Sequence, residues 1–80
     1  MLEKIIEQYQ DEEILIADGF DSAVIGIDVN SFRLIYSVEK CINILIEQGM
    51  SMIEAVEYFE FNVSGSYVGE NTPIWCEDLF

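Results

Sequence analysis

Residues 30–49 constrain the fold most, because apolar and aromatic side chains fill most of their central part, residues 32–46. Five of the polar residues form a narrow stripe at spacings of three or four: Arg33, Ser37, Lys40, Asn43 and Glu47. A helix that is apolar around most of its circumference has to be enclosed by other elements. Asn30 or Ser31 is a suitable N-cap, and Gly49 is a suitable C-terminal stop. We therefore predict a central helix that ends near Gln48 and on which the rest of the chain packs.

Two β-favouring runs precede this helix, at residues 12–17 (EEILIA) and 23–29 (AVIGIDV). Asp18-Gly19 between them is a turn signal, so the two runs predict a β-hairpin. The alternative is a buried stretch of irregular backbone from Ala23 onward, which Gly26 would permit. A third short run, Ile74-Trp75-Cys76, is a possible C-terminal strand.

Two further helices are predicted from local signals. Leu2, Ile5, Ile6 and Tyr9 follow helical spacing at the N-terminus, in a helix too short to be stable unless it docks. Ser51 and Glu54 form a capping-box pattern that begins a helix running to about Asn62. Its expected buried residues are Ile53, Val56, Phe59 and Val63. The whole chain, residues 1–80, is thus predicted to be a single α+β domain with a small antiparallel sheet on the central helix.

Charge and composition exclude several classes of function. Sixteen Asp and Glu residues face three Lys and Arg residues, there is no histidine, and the formal net charge is −13. Histidine-dependent nucleophiles and histidine-bound zinc are excluded, as is a basic surface for nucleic acid. The sequence shows neither a signal-peptide pattern nor an apolar run of membrane-spanning length, and it has two cysteines. We expect a cytoplasmic protein with reduced thiols that does not bind membranes.

The candidate site residues fall into three groups, and each has a structural as well as a functional interpretation. Asp18 and Asp21 sit in an acidic turn, where carboxylates bond to nearby backbone; their spacing matches no EF-hand loop, so we predict turn chemistry rather than a metal site. Glu54, Glu57 and Glu60 point the same way from one helix, as a solvated face or as a negative ridge for a basic partner. Residues 62–73 hold Gly65 and Gly69 and form either a glycine-rich turn or a recognition loop. The aromatic and acidic candidates in and after this loop are Tyr67, Glu70 and Trp75.

Three stretches are similar to a known group of proteins: residues 18–27 (DGFDSAVIGI), 36–45 (YSVEKCINIL) and 54–75 (EAVEYFEFNVSGSYVGENTPIW). They resemble small uncharacterised accessory proteins encoded by tailed phages and bacteria. The last stretch is the most specific. The group has no assigned catalytic activity, so the resemblance implies a phage-type accessory role and transfers no site residue.

Together these features favour a protein-binding module that is not an enzyme and has no cofactor or metal. Its expected partner is a basic, nucleic-acid-binding host or defence protein, which it would inhibit or modulate. Acidic charge would steer such a partner toward the chain, and apolar surface too large to bury would hold it. A homodimer is also possible. The alternatives are a structural or assembly subunit, a homo-oligomer with no inhibitory role, and a small divalent-metal-dependent enzyme.

Overall fold

A computed structural model describes residues 1–66 and 68–78. The chain forms helix α1 (Leu2–Gln8), a 3-10 turn at Asp21–Ala23, and strands β1 (Val24–Ile27) and β2 (Leu34–Ser37). Helices α2 (Val38–Glu47) and α3 (Met52–Tyr58) follow, α3 continues into a π-helical turn at Phe59–Val63, and strand β3 is Ile74–Cys76. The predicted α+β class, its three helices and its C-terminal strand are confirmed.

The sheet has the order β1-β2-β3 and is mixed, so the prediction that it is antiparallel was wrong. β1 and β2 are antiparallel, with Val24 opposite Tyr36. β3 pairs with β2 in parallel, and Tyr36 is the partner of Trp75. Parallel neighbours need a long crossover, and α2 and α3 supply one between β2 and β3.

The hairpin forms between β1 and β2, not between residues 12–17 and 23–29 as the sequence indicated. Its turn is fixed by Asp28, whose carboxylate accepts a hydrogen bond from the Asn30 N–H at 2.8 Å, while its carbonyl accepts one from the Phe32 N–H at 2.8 Å. Phe32 lies in the left-handed region, with φ of 57°. The Asp18-Gly19 turn also forms, with φ of 91° at Gly19, but it leads into the 3-10 turn instead of joining two strands.

Helix α2 begins at Val38, not at residue 30 or 31. Residues 30–33 complete the hairpin turn and Leu34–Ser37 becomes β2, because the left-handed Phe32 interrupts any continuous helix. The Ser37 hydroxyl is the N-cap and accepts a hydrogen bond from the Lys40 N–H at 3.1 Å. Gly49, with φ of 110°, ends the helix as predicted. α2 buries Val38, Cys41 and Leu45 on one side only, so it is amphipathic rather than enclosed.

The core lies between the sheet and the two longer helices. Leu34, Tyr36, Cys41 and Ala55 are fully buried there. The Trp75 ring joins β3 to both layers, with its centroid 5.2 Å from that of Tyr36 and 5.5 Å from that of Phe59. Helix α1 docks against β1 and buries Leu2 and Ile5, as its shortness requires. In the described part of the chain, no helix is long and apolar enough to cross a bilayer.

Candidate protein-binding surface

The outer side of α3 carries large apolar side chains among carboxylates. Ile53 is 72% exposed and Phe61 is 80% exposed. Glu54, Glu57 and Glu60 are exposed beside them, as the sequence predicted. We call these five residues the α3 face.

The rotation of α3 explains why Ile53 is exposed although it was expected to be buried. Ala55 and Phe59, four residues apart, are the buried residues of this element and set the side that faces the core. Ile53, Glu57 and Phe61 also follow four-residue spacing and therefore lie along another side. Val56 and Val63 are half-buried.

Two local features hold the α3 face in place. The predicted capping box is present: the Ser51 hydroxyl accepts a hydrogen bond from the Glu54 N–H at 3.2 Å, and the Glu54 carboxylate accepts one from the Ser51 N–H at 3.1 Å. At the other end, the Ser64 N–H bonds to the Phe59 carbonyl at 2.8 Å and closes the π-helical turn that carries Phe61. A Cβ at Gly65 would come within 3.0 Å of the Glu60 carbonyl, so this tight exit favours glycine.

Hydrogen bonding to Ser51 lowers the pKa of Glu54, with the larger contribution from the Ser51 N–H and the smaller one from the Ser51 side chain. This carboxylate is therefore charged at neutral pH. The chain's three cationic side chains are on other elements: Lys4 on α1, Arg33 before β2 and Lys40 on α2. The Arg33 guanidinium donates a hydrogen bond to the Thr72 carbonyl. The α3 face is thus a negative, partly apolar surface.

A groove of about 590 Å³ lies between α2 and α3, beside the α3 face. Ile42, Val56, Phe59 and Trp75 contribute apolar and aromatic lining. Three carboxylates also line it: Glu39, Glu60 and Glu77. Lysine and arginine bury an aliphatic stem while their charged head stays near solvent or a carboxylate, so the groove matches a basic side chain.

The structure brings together only part of the predicted site. Glu54, Glu57 and Glu60 share one face, and Trp75 lines the adjoining groove. Asp18 and Asp21 are exposed in two separate turns, and Glu70 is exposed in the loop before β3. Tyr67 lies outside the described residues. Among those that the structure describes, no three acidic or cysteine side chains form a group able to hold a metal ion.

Two elements of the surface were missed from the sequence. Ile53 was assigned to the core and Phe61 to no site, although both fall at four-residue spacing from Glu57, which was expected to be exposed. That spacing is the signal that identifies them. The groove had no such signal, because α2, α3 and β3 meet only in the folded chain.

In comparisons with known proteins, the chain matches no family model, no curated protein and no solved structure at a significant level.

Proposed function

We propose that this chain is a protein-binding module that docks the α3 face and the adjoining groove onto a cationic protein surface. The observation that carries the proposal is the exposure of Ile53 and Phe61, at 72% and 80%, among three glutamates. Large apolar patches on small soluble domains commonly mark interaction sites. The partner's role is to cover these side chains.

The two kinds of residue on the α3 face contribute differently to binding. Burying Phe61 or Ile53 contributes about 1.5–3 kcal/mol each. Glu54, Glu57 and Glu60 act mainly on the association rate and on the choice of partner, because charge complementarity steers encounter and rejects acidic surfaces. The groove accepts a lysine or arginine side chain from the same partner.

Nucleic-acid-binding proteins are the natural class of cationic partner, since their surfaces carry clustered lysine and arginine. Together with the resemblance to phage-type accessory proteins, this class supports inhibition or modulation of a basic host or defence protein. We place the encounter in the host cytoplasm. The module itself does no chemistry in this proposal; it occupies a surface that the partner needs.

The test is a capture experiment with purified chain and bacterial lysate, followed by calorimetry with the captured partner in pure form. Phe61→Ser should weaken binding about 10- to 150-fold, because the buried ring is lost. Val29→Ser is the matched control, since Val29 is 68% exposed in the hairpin turn and belongs neither to the α3 face nor to the lining of its groove. Equal effects of the two substitutions would contradict the proposal.

Charge is tested by two triple variants with the same change in net charge. Glu54, Glu57 and Glu60 changed to Gln should slow association and reduce its salt dependence. Glu3, Glu7 and Glu47 changed to Gln should retain most of the rate, because these exposed glutamates lie on α1 and α2. If both variants lose the same amount, the effect comes from overall charge and the α3 face is not the site.

A structural subunit or homo-oligomer is the second candidate, and the same exposed apolar residues favour it. Two copies joined through the α3 face would bring six glutamates together, and each copy carries a net charge of −13. A basic partner avoids this repulsion, so we prefer it. Light scattering at rising protein concentration distinguishes the two: a dimer that Phe61→Ser dissociates would support the second candidate.

A further inference from the structure

A second surface lies at residues 13–17, which the sequence predicted to be a strand. The segment runs between a bend at Glu12 and the Asp18-Gly19 turn, without helix, turn, bend or strand pairing of its own. Within the described part of the chain, the backbone groups of residues 13–16 make no hydrogen bond to protein atoms. Ala17, the next residue along the chain, does make one: its N–H donates a hydrogen bond to the Tyr36 hydroxyl at 2.8 Å. Residues 13–16 thus form a β-favouring run with free backbone donors and acceptors.

The same segment borders an apolar groove of about 450 Å³. Leu15 and Ile16, which are 38% and 41% exposed, line it together with Phe20, Val63 and Trp75. Side chains that alternate along a neighbouring strand could enter such a groove. In strand addition, backbone hydrogen bonds give the affinity and pockets for alternate side chains give the specificity, and this segment offers groups of both kinds.

Carboxylates stand at both ends of the segment. Asp11, Glu12 and Glu13 precede the apolar residues, and Asp18 and Asp21 follow them; all five are exposed. A strand laid along the segment would therefore have its two ends among negative charges. Basic residues at both ends of that strand would be attracted, and acidic ones repelled.

We propose that residues 13–16 are an open strand edge that accepts an extended peptide segment of a partner, with β-branched residues at its centre and lysine or arginine at both ends. Water occupies the free backbone groups until the peptide pairs with them. A second copy of this chain is a poorer occupant: in parallel pairing Glu13 meets Glu13, and in either direction two chains of net charge −13 are joined. The edge and its groove share no residue with the α3 face.

The test uses a defined probe, a blocked peptide with five alternating valine and threonine residues between two pairs of lysines. Calorimetry at low salt measures its affinity, and hydrogen exchange locates its contact. We expect binding, with alternate amides within residues 13–16 protected, because only every second residue of a strand bonds to one neighbour. N-methylation of alternate peptide amides should weaken binding about 30- to 100-fold, because two or three backbone hydrogen bonds are lost. Replacing the lysines with glutamates should abolish it.

Two variants of the chain complete the design. Ile16→Pro removes an N–H that has no protein acceptor in the described part, so it should leave thermal unfolding nearly unchanged and abolish peptide binding. Phe61→Ser should bind the peptide normally, which separates this inference from the proposed function. If Ile16→Pro does not fold, the comparison of the plain and N-methylated peptides on the unaltered chain decides the question.

Any of the following results would overturn the inference. One is the absence of binding at about 1 mM peptide, the weak end of measurable affinity. Another is equal binding of the plain and N-methylated peptides, or protection at residues other than 13–16. The last is a dimer that Ile16→Pro dissociates, which would assign the edge to a second copy.

Discussion

The Tyr36 hydroxyl joins β2 to the segment at residues 13–17 through a hydrogen bond, and Tyr36→Phe removes that bond. Tyr36 is fully buried, and its hydroxyl accepts the Ala17 N–H at 2.8 Å. Burial raises the pKa of Tyr36, so the hydroxyl is protonated at neutral pH. The variant keeps the ring that contacts Trp75 but leaves the Ala17 N–H without its acceptor.

An unsatisfied buried donor costs about 1–3 kcal/mol. Ala17 is half-buried, so water can reach it in part and the lower half of that range applies. We expect Tyr36→Phe to lower the free energy of unfolding by about 1–2 kcal/mol. For a domain of this size, the corresponding fall in Tm is about 4–15 °C. The change in the free energy of unfolding is measured by urea titration, monitored through the fluorescence of Trp75, the single tryptophan.

Tyr58→Phe is the matched control, because Tyr58 is 43% exposed and the same hydroxyl is removed. Its effect should stay within about 0.5 kcal/mol, as for most surface substitutions. Hydrogen exchange at the Ala17 amide should accelerate in Tyr36→Phe alone. Equal stability of the two variants would refute the role given to the Tyr36–Ala17 hydrogen bond.

Three further predictions concern stability. Ser51→Ala removes the N-cap of α3 and should lower the free energy of unfolding by about 1 kcal/mol in urea titrations, and no change would contradict the capping role. Gly49→Ala should lower the free energy of unfolding by about 1–2 kcal/mol, because Gly49 has a φ of 110° that alanine adopts poorly. Gly26→Ala should be tolerated, because there is open space around its Cβ position. Equal Tm values for the two variants would refute the difference expected between these glycines. Burial raises the pKa of Cys41 from 9.0 to about 12, and the Asp78 carboxylate makes a smaller contribution in the same direction. As pH rises, the thiol therefore loses its proton in the unfolded chain before it does so in the folded chain. The free energy of unfolding should accordingly fall as pH rises from 9 toward 12. Cys41→Ala should make the fall between pH 9 and 11 shallower, and an unchanged slope would count against burial of the thiol.

Local signals predicted the parts of the fold that depend on few residues. The Ser51–Glu54 capping box and the Gly49 stop each involve one turn of chain, and both are present. The start of α2 was misplaced because periodicity cannot show that Phe32 takes a left-handed conformation. Residues 12–17 have strand composition, but pairing requires a neighbour, and β1 pairs with β2 instead.

The candidate site divides in the same way. The glutamate ridge follows from helical spacing alone, and it is exposed as predicted. The exposure of Ile53 depends on which side of α3 meets the core, which Ala55 and Phe59 determine through contacts distant in sequence. Both grooves are lined by Trp75 of β3. β3 pairs with β2 across the whole α2–α3 connection, so its position cannot be predicted from local sequence.

The position of Trp75 has a consequence for how the two surfaces communicate. Its indole lines the groove beside the α3 face and also the groove beside residues 13–17. A ligand that shifts this ring from one side alters the shape available on the other. By thermodynamic reciprocity, each ligand then changes the affinity of the other by the same factor. Trp75 is thus the side chain through which the two proposed binding sites would be coupled.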